Sequence, residues 1–155
     1  MTDLREQAAL RDQCTVFLTG HGPVRPADLL AGIPADTVPD REGLLRRMAE
    51  MTVLVAEDAG GHVVGTIACK LVTEDEGHLR GMAVLPDWQG AGVAAELLSA
   101  VEEELRRRKC RRATLDTTAP LQRAIRFYER NGYRASGRVE DFYGMPLYEY
   151  AKALE

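Results

Sequence analysis

The sequence predicts an α/β domain of the α+β kind: a mixed, mostly antiparallel sheet of about six to seven strands, with helices on both faces. Three observations carry this reading. Residues 53–56 and 63–71 are β-rich runs joined by the turn-forming Glu57-Asp58-Ala59-Gly60-Gly61-His62, and read as a hairpin. Residues 79–85, a long helix from Val93 and residues 113–117 follow as strand, helix, strand, which implies a right-handed parallel crossover. Residues 133–139 and 147–151 then read as closing strands linked through 141–146.

The elements follow in order. Residues 3–18 suit a helix with a loose apolar face of Leu4, Ala8, Leu10, Cys14, Phe17 and Leu18, although 14–18 also suit a strand. Gly20-His21-Gly22-Pro23 breaks it, and 26–30 read as a short helical turn. Asp40 is placed to cap a helix over 41–51, with Leu44, Leu45, Met48 and Met51 on one side. A polar loop, 73–77, leads into the central strand. The long helix shows Val93, Leu97, Val101 and Leu105 every four residues, an apolar stripe. Its outer face is expected to carry Glu102, Glu103 and Glu104 against Arg106, Arg107 and Arg108 at i,i+4. Pro120 is expected in the first turn of a second core helix, where its missing N–H costs little. There Leu121, Ala124, Ile125 and Tyr128 share one face, and Asn131-Gly132 end it.

At 155 residues the chain suits one domain with a sizeable core. Apolar residues at 45% and charged residues at 28% are ordinary for a globular protein. The net charge of −4 gives no case for nucleic acid, because glutamates offset the basic run from Arg106 to Arg112. No apolar run reaches membrane length, and the charged amino terminus shows no signal peptide. Cys14, Cys69 and Cys110 are odd in number and scattered, which fits a reducing cytosol and neither a disulfide framework nor a zinc site. A cytoplasmic protein without a metal is expected.

The functional signal lies at Gln89-Gly90-Ala91-Gly92-Val93-Ala94. Two glycines allow a tight turn and clear side chains from the main chain. The helix that follows presents free N–H groups at Gly90 to Ala94, an anion site most naturally suited to phosphate. The dipole contributes only about 0.3–1 kcal/mol to an exposed anion, so several N–H groups must converge. Gly90 to Ala95 also fits the dinucleotide fingerprint G-x-G-x-x-G/A, with Asp116 near the usual acidic position. Against an oxidoreductase stand the intervening Pro86-Asp87-Trp88-Gln89 and the short remainder after Asp116.

This segment resembles the acyl-CoA binding motif, Gln/Arg-x-x-Gly-x-Gly/Ala, of the GNAT superfamily of N-acetyltransferases. Met82-Ala83-Val84-Leu85-Pro86 resembles the strand leading into it, and residues 124–133 resemble the family's second signature, a helix with a tyrosine ending at Gly plus an aromatic. The resemblance covers about 52–154 and implies a single GNAT-like domain over 1–155. In it a divergent helical part, 1–51, precedes a core, 52–155, with the cofactor site. It implies acetyl-CoA as cofactor, its pyrophosphate at Gln89, Gly90, Ala91, Gly92, Val93 and Ala94, and its pantetheine amides along Met82 and Ala83. The thioester carbonyl is then polarised by a backbone N–H near Val84, an oxyanion-type donor. Tyr128 is expected to protonate the departing thiolate. The chain departs from the family at Leu121, where members often carry an asparagine that bonds the cofactor.

The acceptor amine sets the harder problem. An ammonium with a pKa near 10.4 costs about 4.6 kcal/mol to deprotonate at pH 7, at roughly 1.36 per unit, so the proton needs a receiver. Glu74, Glu76 and His78 alternate before the central strand, and Glu76 and His78 are the candidate bases; a solvated acidic loop is the plainer alternative. Asp28, Asp36, Asp40, Glu140 and Asp141 lean towards a cationic small amine, with a protein amine also open. Phe142, Tyr143 and Tyr148 suit an aromatic wall, a core or a subunit interface, and a homodimer is open. Direct transfer to a primary amine is expected; the alternative is a non-catalytic acyl-CoA-binding or regulatory module.

Overall fold

In the computed structural model, residues 15–16 and 50–155 are described. The strands are β1 (Thr15–Val16), β2 (Thr52–Glu57), β3 (Val63–Leu71), β4 (Glu76–Val84), β5 (Arg112–Thr117), β6 (Arg134–Phe142) and β7 (Met145–Ala153). Helix α1 (Val93–Arg107) joins β4 to β5, α2 (Gln122–Arg130) joins β5 to β6, and a single 3-10 turn spans Pro86–Trp88. One seven-stranded sheet runs β1-β2-β3-β4-β5-β7-β6. Every neighbouring pair is antiparallel except β4 and β5, which are parallel. The expected mixed sheet, hairpin and crossover are all present.

The apolar stripe of α1 is the centre of the core. Val93 and Leu97, with Val101 and Leu105 beyond them, are at most 1% exposed and pack with Leu54, Ile67, Leu79, Ala113, Leu115 and Tyr133. Each such side chain contributes about 1.5–3 kcal/mol on burial. Two strand glycines let the helix lie this close. A Cβ on Gly77 would sit 2.3 Å from Leu105 Cδ2, and one on Gly65 would sit 2.9 Å from Leu97 Cδ1.

Several local expectations are corrected. Glu102 is not on the outer face: it is 5% exposed, accepts a hydrogen bond from the Tyr133 hydroxyl at 3.0 Å, and pairs with Lys152 Nζ at 2.9 Å and Arg106 at 3.5 Å. Buried carboxylates persist only when paired in this way. Glu104 does form the expected outer pair, with Arg108 at 2.7 Å. The strand begins at Glu76 rather than at residue 79, so Glu76 and His78 lie on β4 and not in a loop. Pro120 falls in the turn before α2, which starts at Gln122. The closing hairpin is tighter than expected: β6 and β7 run up to Tyr143-Gly144, where positive φ values of 50° and 81° close a two-residue turn. At the amino end, Thr15–Val16 pair with β2, so the strand reading of 14–18 holds there and the helix reading of 3–18 does not reach it. The remaining expectations for residues 1–14 and 17–49, including Cys14, His21, Asp28, Asp36 and Asp40, lie outside the described residues.

Candidate active site

The site begins where β4 and β5 part. Their parallel pairing covers Glu76↔Arg112, Gly77↔Ala113 and His78↔Thr114 and then stops, although β4 continues to Val84 and β5 to Thr117. A bulge helps to turn β4 away. Thr66 pairs with Ala83 and Ala68 with Arg80, which leaves Gly81 and Met82 opposite Ile67 alone, and Gly81 has φ 66°. Leu85 N–H donates to Val64 C=O at 2.9 Å. Successive N–H groups of a strand point to opposite edges, so Val84 N–H points the other way, into the open fork. The backbone at Met82, Ala83 and Val84 therefore borders a gap wide enough to leave peptide groups without a strand partner, a place for an amide-bearing chain.

Beyond β4 the chain turns through Pro86–Trp88 into the glycine corner. Gly90 has φ 80° and Gly92 φ 90°, both left-handed and favourable for glycine. A Cβ added at Gly90 would meet nothing within 4 Å, so the corner is open. The first bond of α1 is Glu96 N–H to Gly92 C=O at 3.1 Å, which leaves the N–H groups of Val93 and Ala94 ahead of the helical ladder. One expected donor is already used, Ala91 N–H bonding Trp88 C=O at 3.4 Å, and just before it Gln89 N–H bonds Pro86 C=O at 3.2 Å. Free N–H groups at every position from Gly90 to Ala94 is thus corrected to Gly90, Gly92, Val93 and Ala94. The Gln89 side chain has a different task. Its Nε2 donates to Val84 C=O at 3.1 Å and splints the corner to the end of β4. These features fit a diphosphate at the corner with an amide chain running into the fork.

On the face of the sheet opposite α1, polar side chains cross the last paired rungs. His78 is held on both ring nitrogens, Nδ1 lying 2.8 Å from Thr114 Oγ1 and Nε2 3.3 Å from Asp116 Oδ2. The hydrogen bond from His78 leads the influences that hold Asp116 below the usual carboxylate range, with the positive charges of Arg80 and Arg138 adding to it. Glu76 is engaged elsewhere: Arg112 bonds it at 2.8 Å and reaches Glu149 at 3.3 Å, and Ser136 donates to the same Glu149 at 2.8 Å. Of the two candidate bases, His78 is held by a hydroxyl and a carboxylate, and Glu76 is paired with a guanidinium. Asp116 and Thr114 were not assigned to this site from the sequence, because the register of a parallel pair is not written in either strand.

Tyr128 lies on α2 with its ring edge-on to Phe127 at 5.3 Å and to Tyr133 at 5.8 Å. Burial pushes its phenol up to about 12. The two described cysteines are closed off. Cys69 is 1% exposed and its thiol is pushed up to about 11 by burial, and Cys110 is buried and raised for the same reason. Thr114, His78 and Asp116 share the connectivity of a hydroxyl–imidazole–carboxylate triad, but Thr114 is 1% exposed and has no room for a substrate carbonyl. A groove of about 320 Å³ near Glu50, Thr52, Lys70 and Arg108 sits at the end of the sheet away from the glycine corner, Lys70 pairing across β3 and β4 with His78.

Comparison with known proteins agrees with this geometry. The acetyltransferase (GNAT) family model matches residues 25–133, more than half of the chain. An aminoglycoside N(6')-acetyltransferase type 1 of Stenotrophomonas maltophilia is 32% identical over 131 residues, covering 78% of this chain and 85% of that protein. A glucosamine 6-phosphate N-acetyltransferase of Trypanosoma brucei brucei is 26% identical over 127 residues, covering 78% and 81%. The fold is similar to that of a GNAT family acetyltransferase from Elizabethkingia anophelis solved with acetyl-CoA bound, at a TM-score of 0.65, 15% identity and coverage of 92% and 99%. Among the described residues no helix is long and apolar enough to cross a membrane. With its forked sheet, its glycine corner and the match across most of its length, the chain belongs to the GNAT family of acetyltransferases.

Proposed function

We propose that this protein transfers the acetyl group directly from acetyl-CoA to the primary amine of a small molecule, with His78 as general base. The single observation that carries this reading is the fork between β4 and β5, with the glycine corner at one end and His78 at the other. The donor supplies an activated acyl group; the protein supplies the rest. Free N–H groups at Gly90, Gly92, Val93 and Ala94 hold the diphosphate. The N–H of Val84 faces the fork and is placed to polarise the acyl carbonyl.

A C–N bond forms and the C–S bond breaks, while the amine proton passes to His78. The Thr114 hydroxyl engages Nδ1 and Asp116 engages Nε2, so the incoming ammonium takes the imidazole's place at Asp116, which frees Nε2 to accept the proton and then pairs with the imidazolium. With a phenol pushed up to about 12 against a thiol near 8.5, outright proton donation by Tyr128 is uphill by about 5 kcal/mol. Its contribution is therefore a hydrogen bond to the departing sulfur. That refines the expected role of a simple acid.

Substrate choice rests on charge. Asp116 next to the base favours an amine that arrives as a cation, and the likeness to aminoglycoside and amino-sugar phosphate acetyltransferases points to the same class of small amine. The test is thiol release from acetyl-CoA across aminoglycosides, amino-sugar phosphates, polyamines, amino acids and peptides. Turnover on a small cationic amine, with kcat reduced about 10- to 100-fold in Tyr128→Phe and the KM for acetyl-CoA little changed, is the expected result. Acetyl-CoA binding with no thiol release on any of them would favour a binding module instead.

A further inference from the structure

We propose that the exposed guanidinium of Arg80 is an anion subsite for the acceptor, so that the amine acetylated here carries a phosphate or carboxylate of its own. Side chains alternate along a strand, so Glu76, His78 and Arg80 of β4 share one face. On β5 the same face holds Thr114, paired to His78, and two residues further on Asp116. Beyond the His78 rung the strands part, which leaves Arg80 and Asp116 on opposite banks of the fork, beside the base. Two other arginines of this face are matched by carboxylates. Arg112 bonds Glu76 at 2.8 Å and Glu149 at 3.3 Å, and Arg138 bonds Glu140 at 2.6 Å. Arg80 is exposed and has neither a hydrogen bond nor an ion pair among the described residues. Lys70 is exposed as well, but it lies opposite His78 on β3, the side of β4 away from the fork.

Charge decides what kind of acceptor suits this arrangement. Asp116 is held below the usual carboxylate range first by the hydrogen bond from His78, and the positive charge of Arg80 adds to that. Arg80 is thus near enough to be felt across the fork without forming an ion pair. When the incoming ammonium takes Asp116, Arg80 faces a second positive charge whose carboxylate is already engaged. Like charges this close repel. A polycationic acceptor adds to the repulsion. An acceptor with its own anion removes it, the ammonium pairing with Asp116 and the anion with Arg80. The planar guanidinium suits either anion, because phosphate and carboxylate both accept two parallel N–H bonds from it. Reach agrees, since residues two apart on a strand lie about 7 Å apart, so amine and anion belong on one small molecule. Within the class of small amines named above, an amino-sugar phosphate or an amino acid is therefore favoured over an aminoglycoside. The subsite depends on the amine reacting beside His78, as proposed above.

Matched acceptors test it: glucosamine 6-phosphate against glucosamine, and lysine against cadaverine, which is lysine without its carboxylate. Each is titrated by calorimetry into the protein loaded with coenzyme A, and each is assayed by thiol release from acetyl-CoA. The parent is expected to bind the anionic member of at least one pair about tenfold or more tightly than its partner, the first pair reporting phosphate and the second carboxylate. Arg80→Gln is expected to bring that ratio close to one, through KM and not kcat, while Arg80→Lys keeps part of it. Lys70→Gln removes the same charge on the side away from the fork and should leave the ratio as it is. A parent without a preference, or one that binds neither anionic member, overturns the subsite. So does an equal loss for both members of a pair in Arg80→Gln, and so does a matching loss in Lys70→Gln, which would trace the preference to overall charge. His78→Gln measured alongside separates the two levels. An Arg80-dependent preference in binding without thiol release means that only the transfer reading fails; thiol release that His78→Gln lowers, with no preference for the anion, means that only the subsite fails.

Discussion

Gly92→Glu is expected to weaken coenzyme A binding at least 100-fold in a protein that remains folded. Gly92 is the exposed N-cap of α1 at φ 90°, so a side chain there carries a real backbone cost. A left-handed conformation costs a residue with a Cβ about 1–2 kcal/mol, which a domain of this size tolerates. The larger effect is local. A carboxylate among the N–H groups of Gly90, Val93 and Ala94 occupies the anion site and repels a diphosphate. Gly92→Ala separates the two contributions, since it carries the backbone cost without the charge and is expected to lose far less affinity. Equal losses in the two variants would mean that strain and not charge explains the result.

His78→Gln is expected to lower kcat by about 10²- to 10⁴-fold with coenzyme A affinity unchanged. The imidazole bonds Thr114 and Asp116 on β5, and glutamine keeps a polar side chain at the same rung. Glu76→Gln is the informative companion. Glu76 is tied to Arg112 at 2.8 Å, and the same arginine reaches Glu149, so its loss is expected to show in stability and not in rate. Steady-state kinetics on an accepted amine decide between them. A His78→Gln rate within threefold of the parent, or a rate collapse in Glu76→Gln with His78→Gln unaffected, would reverse the assignment.

The parts legible in the sequence are those where local chemistry and final packing agree. Val93, Leu97, Val101 and Leu105 fixed the buried face of α1 by spacing alone, and the turn at 57–62 fixed the β2–β3 hairpin. The glycine corner was legible because left-handed backbone at Gly90 and Gly92 is itself a sequence demand. The misreadings share a cause, which is a partner far away in the chain. Glu102 looked solvent-facing within an acidic triplet, yet Tyr133 and Lys152 cover it; its place four residues after Leu98 and three before Leu105 was the available signal. Glu76 and Gly77 looked like the end of the polar loop 73–77, but Arg112 pairs with Glu76 and Thr114 bonds His78 across the parallel rungs. The tight turn at Tyr143-Gly144 is braced by Gly144 N–H to Asp141 Oδ2 at 3.3 Å, a contact that an Asp three residues before a Gly can suggest but not establish.

Every functional step depends on coenzyme A lying along the fork with its diphosphate on the amide groups after Trp88. The most direct test follows backbone amide shifts by NMR while coenzyme A is added to the intact protein. The largest changes are expected at Gly90, Gly92, Val93 and Ala94, with a second set at Met82 to Val84 on β4. Changes confined to the groove around Glu50, Thr52, Lys70 and Arg108, at the far end of the sheet, would contradict it.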